Sequence, residues 1–209
     1  MKLKKIVMSL VLAFTPAAST NHPKSIQSPG PAVTLIGVLM AIWCIAFAVV
    51  NIVFEVTDHF AGGLLAEYPT GITVMNWLVV GFKALGAVVA LWSVANISKL
   101  YLQSLMTVLV WGAFATLGLY ALGSVIQAMG IISGLTGTAD QINLASVGYV
   151  FMFLLAAAGY GFLAVSYSRR YGTRRGYAVL GVVGAPVVLG LILIAVPMLL
   201  VALGYLPAY

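Results

Sequence analysis

Charge is what this chain has least of. Only 7% of its 209 residues are charged, ten Lys and Arg against four Asp and Glu. A soluble domain carries roughly 25% charged residues, so there are too few here to coat a water-exposed globule. Histidine and cysteine are scarce too, at two and one. Cys44 alone can form neither an internal disulfide nor a CxxC pair, which argues against thiol–disulfide chemistry. Bis-histidine haem needs two facing imidazoles, and only His59 lies near an apolar run. No HExxH, P-loop or GxSxG motif occurs, and no apolar run holds paired carboxylates at its centre. These absences predict no catalytic set, no resident cofactor and no metal. Strand-type alternation is missing too, which excludes the pattern of a membrane barrel.

What the chain has is apolar length. It is 63% hydrophobic, with a mean hydropathy of +1.12. Five runs stand out, over residues 32–56, 71–97, 103–132, 142–167 and 177–205. Each holds the roughly 20 residues a spanning helix needs. The pattern predicts an all-α integral membrane protein, a bundle of five transmembrane helices over residues 32–209 behind a tail over 1–31. The breaks carry turn formers: Pro29-Gly30-Pro31, then Pro69-Thr70-Gly71 with Thr70 as an N-cap, then Ser133-Gly134. Pro186 and Pro197 predict kinks in the fifth helix.

The few charges give an orientation. If all five runs cross, Lys99, Arg169, Arg170, Arg174 and Arg175 fall on one side, with Lys2, Lys4, Lys5 and Lys24 of the tail. Glu55, Asp58, Glu67 and Asp140 fall on the other. The positive-inside rule then predicts a cytoplasmic N-terminus and an external C-terminus in a bacterial-type plasma membrane. The same basic residues are expected to contact anionic lipid headgroups rather than nucleic acid. The start, MKLKKIVMSLVLAFTPAAS, pulls the other way, because a basic stretch, a short apolar stretch and small residues resemble a secretory signal peptide. The loop charges agree with one another and outweigh it, leaving residues 1–31 as a cytoplasmic tail.

Two features offer chemistry. Asn51, Glu55 and His59 recur at i, i+4 and i+8, one face of a continuing helix, with Asp58 beside them. Carboxylates and an imidazole there read as a cation or proton site, or more plainly as a polar helix end in the headgroup region. Lys83 is the second, a basic residue inside an apolar run. Counted from residue 71 it is 12 residues deep, roughly 18 Å, near the middle of a bilayer and level with Cys44, Thr116 and Tyr120. Counted from Trp77, read as an interface marker, it is six residues in, roughly 9 Å, and its ammonium reaches Glu55 or Asn51. The shallow register is favoured because it leaves no unpaired buried charge.

Small residues such as Gly81, Gly86, Gly112, Gly118, Gly181 and Gly184 predict close helix packing, with self-association or a second membrane protein as the alternative use of those faces. The expected function is a non-enzymatic accessory, scaffold or partner-binding membrane subunit. The alternatives are a small transporter or channel, with Asn51, Glu55, Asp58 and His59 as an outer mouth leading to Lys83, and a membrane enzyme acting on lipid-like substrates.

Overall fold

The computed structural model describes residues 28–59, 67–97, 99–136 and 143–206. Asp140 and almost all of the 1–31 tail, including its signal-like start, lie outside the described residues. Among the described residues there are five helices and no strands: α1 Pro31–Val56, α2 Pro69–Ser93, α3 Leu100–Ile132, α4 Leu144–Tyr171 and α5 Arg175–Ala202. All five are long and apolar enough to cross a membrane.

Local chemistry explains the helix ends. Pro31 and Pro69 open α1 and α2, where a missing N–H removes no helical bond. Tyr68 rather than Thr70 caps α2, so Thr70 lies inside the first turn. A capping box starts α4: Asn143 Oδ1 accepts from the Ser146 amide at 2.8 Å, and Ser146 Oγ accepts from the Asn143 amide at 3.0 Å. Gly172 closes α4 in the left-handed region (φ 59°), which a side chain would strain. Pro186 and Pro197 both fall within α5, and the helix runs on through each.

Side-chain contacts fix the topology. Glu55 meets Thr73 and Asn51 meets Asn76, so α1 and α2 are antiparallel. Cys44 meets Tyr160 while Phe47 meets Tyr149, which sets α1 antiparallel to α4. Trp111 bonds Ser168 and Tyr120 packs on Phe153, which does the same for α3 and α4. By contrast α3 and α5 run parallel. A Cβ on Gly112 would lie 2.6 Å from the Ala185 Cβ, and one on Gly181 would lie 2.9 Å from the Trp111 Cβ. The small residues here let two backbones touch, whereas Gly81 and Gly118 face open space.

The buried core lies among α1 to α4, with Tyr160, Leu163, Tyr167, Met106 and Val110 almost wholly enclosed. The fifth helix stands apart. Only 6% of its apolar window is buried, against 28–33% for the other four. Up-down succession gathers Lys99, Arg169, Arg170, Arg174 and Arg175 at one end of the bundle, where Arg170 bonds the Ser93 carbonyl. Glu55, Asp58 and Glu67 lie at the opposite end, around the α1–α2 connection.

Candidate functional site

At the acidic end the polar side chains are tied to each other. Asn51 Nδ2 donates to its own helix at the Phe47 carbonyl (2.8 Å). From α2, Asn76 Nδ2 donates to the Asn51 carbonyl and to Glu55 Oε2, both at 2.9 Å. The Thr73 hydroxyl donates to Glu55 Oε1 at 2.5 Å. Glu55 thus has two donors and is half-buried at the α1–α2 interface. Such charge-assisted bonds are about twice as strong as neutral ones, so this group clamps the two helices.

The expected stripe does not run on to His59. The helix stops at Val56 and Asp58 takes a left-handed backbone (φ 50°), which turns the chain away. His59 instead stacks on Phe54, ring centroids 4.3 Å apart. Among the described residues no three His, Cys, Asp or Glu side chains are placed to hold a metal.

Lys83 does not meet Glu55, whose oxygens are taken by Thr73 and Asn76. Its ammonium lies over three rings instead: Trp43 at 4.3 Å, Phe47 at 4.7 Å and Phe153 at 4.7 Å from the centroids. The rings pack on one another, Trp43 edge-on to Phe153 (87°) and Phe47 edge-on to Phe153 (77°), and Tyr120 and Tyr149 extend the cluster. Lys83 is 14 residues from the start of α2 and 10 from its end, roughly 21 and 15 Å along the axis. The expected contact with Glu55 or Asn51 is therefore not seen: the lysine sits at mid-helix, where no carboxylate among the described residues reaches. A turn away, the Tyr160 hydroxyl donates to the Gly86 carbonyl at 2.8 Å and contacts Cys44 Sγ at 3.2 Å, joining α4, α2 and α1. Among the described residues neither Lys83 nor the buried Trp43 Nε1 has a hydrogen-bond acceptor.

The basic end shows a second cation on aromatic rings. Arg170 lies 4.9 Å from the Tyr171 ring and 5.5 Å from Tyr167. One of its N–H groups donates to the Ser93 carbonyl at 2.5 Å. The Tyr171 hydroxyl accepts from the Ile97 amide (2.8 Å) and donates to the Ala95 carbonyl (3.1 Å). Helix α2 ends without a glycine cap, so α4 supplies the partners for its last carbonyls, and a cation there also suits the helix dipole.

Sequence spacing pointed to Asn51, Glu55 and Lys83 but missed their partners Thr73, Asn76, Trp43, Phe47 and Phe153, which come from other helices. One signal was available: a lysine inside an apolar run with no acid at its level needs another electron-rich partner, and aromatics are 11% of this chain. Comparison with protein families, with curated proteins and with solved structures gave no match for this chain.

Proposed function

We propose that this chain is a multi-pass integral membrane protein acting as a non-enzymatic accessory or partner-binding subunit, with its N-terminus cytoplasmic and its C-terminus outside. One observation carries the partner-binding reading. Among the described residues, helix α5 packs extensively only on α3 and leaves Val179, Val183, Val187, Leu191 and Ile194 exposed along its length. The grouping of Lys99 and the four arginines at one end supports the orientation through the positive-inside rule. The transporter reading is weaker, because Asn51 and Glu55 at its mouth bind α1 to α2 rather than open a path.

Single cysteines on α5, in a Cys44→Ser background, test the reading in native membranes. Val187→Cys should give one discrete bismaleimide adduct of defined mass, and Leu39→Cys on α1 should give none. Equal labelling of both faces, or no adduct from either, would overturn it. Reporter fusions after residues 98 and 206 should read cytoplasmic and external respectively, and the reverse result would invert the proposed topology.

A further inference from the structure

We propose that the groove between the start of α1 and the last turns of α4 binds a phosphate group, of the kind carried by an anionic phospholipid headgroup or by free inorganic phosphate. The groove encloses about 340 Å³. Residues 28–30 form one wall, and Phe162, Val165, Ser166, Arg169 and Arg170 form the other. Positions 162, 165, 166 and 169 fall on one face of α4, so the cavity follows a single helical stripe.

Its chemistry is one-sided. Every charged residue lining it is an arginine, and the acids among the described residues lie at the far end of the bundle. Arg169 is exposed and has no partner within the described residues. Arg170 gives one N–H to Ser93 and its Nε and Nη1 are buried away from the groove, so Arg169 is the guanidinium open to a ligand there. The hydroxyls of Ser28 and Ser166 are likewise unbonded among the described residues. These groups are donors in want of an acceptor, and a guanidinium fork matches phosphate oxygens better than it matches a spherical anion. Phe162 and Val165, 45% and 38% exposed, continue the groove toward mid-helix as an apolar wall suited to an acyl chain. The lipid source rests on the membrane reading above. The phosphate chemistry does not.

The test uses the full chain purified in mild detergent, with native mass spectrometry and thermal melting as readouts. Phosphatidylglycerol should stay bound and raise the melting temperature, while diacylglycerol, which lacks the phosphate, should do neither. Arg169→Gln should weaken phosphatidylglycerol binding about tenfold, the scale of one lost charge-assisted bond. Arg175→Gln removes the same charge from the same end but outside the groove, and should change binding by no more than about twofold. Displacement of the lipid by millimolar inorganic phosphate assigns the site to free phosphate, and resistance to displacement assigns it to the headgroup. Equal binding of diacylglycerol, equal losses in the two arginine variants, or binding of neither phosphate source would overturn the proposal. Alkaline carbonate extraction tests the membrane reading separately, since a released chain would refute that reading and leave the phosphate arm intact.

Discussion

Lys83 and Arg170 are two cations that face aromatic rings and meet no carboxylate among the described residues, yet they sit in different surroundings. Arg170 lies in the last turn of α4 and has the Ser93 carbonyl as an acceptor. Lys83 lies at mid-helix and has three ring faces and no acceptor among the described residues. The difference follows from where backbone is free. A helix end exposes unpaired carbonyls that a cation can bond, whereas mid-helix carbonyls are already used within their own helices. A charge at the centre of a bundle without acids therefore has only ring quadrupoles to face. Aromatic density around Lys83, rather than an ion pair, is what the position demands.

That contrast ranks four substitutions, each read by SDS-titration unfolding in mixed micelles. Trp43→Ala has the largest effect. It removes a buried ring that packs on Phe47 and Phe153 and leaves the ammonium one face short, so a loss of about 3–5 kcal/mol is expected. Arg170→Met comes next, at about 1.5–3 kcal/mol, because the Ser93 carbonyl loses a charged donor while the aliphatic stem is kept. If Arg170→Met cost as much as Trp43→Ala, the basic end would matter to the fold as much as the centre does. Tyr171→Phe deletes a hydroxyl that bridges the Ile97 amide and the Ala95 carbonyl. It should cost about 1–2 kcal/mol and raise hydrogen exchange in the 94–99 connection first.

The sequence read well wherever hydropathy and helix geometry coincide, and badly wherever they part. The first apolar run, 32–56, matches the helix Pro31–Val56. The second run extends to 97 but its helix stops at Ser93, because Val94 to Ile97 are largely apolar yet form the connection held by Tyr171. The fourth run ends at 167 but its helix continues to Tyr171, because a helix can carry Arg169 and Arg170 beyond the apolar stretch. Hydropathy reports where lipid is tolerated, while hydrogen bonding decides where a helix ends. Within the site, Lys83 was visible as an anomaly and Glu55 as a polar helix end. Spacing alone draws Lys83 toward Glu55, the nearest acid in register, although Thr73 and Asn76 already occupy that carboxylate. The Thr73–Asn76–Glu55 clamp and the Trp43–Phe47–Phe153 cage are products of helix docking, which no spacing within one run encodes.

The smallest expected effect is the most informative. In the proposed bilayer, a lysine at the centre of a helix costs about 2.5–3.5 kcal/mol on insertion scales. Each ring contact returns about 0.5–2 kcal/mol, so three rings at intermediate strength offset roughly 3 kcal/mol and leave the charge close to neutral overall. Lys83→Met removes the charge, keeps the stem, and adds sulfur–aromatic contacts worth about 0.3–1.5 kcal/mol. The expected change is thus no more than about 1 kcal/mol, in the stabilising direction. In a Trp43→Leu background the ammonium has lost its nearest ring, so the same substitution should stabilise by about 1 kcal/mol more, a coupling that a double-mutant cycle reads directly. A loss above about 2 kcal/mol for Lys83→Met in the native background would mean that the rings more than repay the insertion cost. Additive single variants would mean that Trp43 acts by packing alone. Lys83 would then be held by the rest of the cluster, and the contrast with Arg170 would reduce to one of depth.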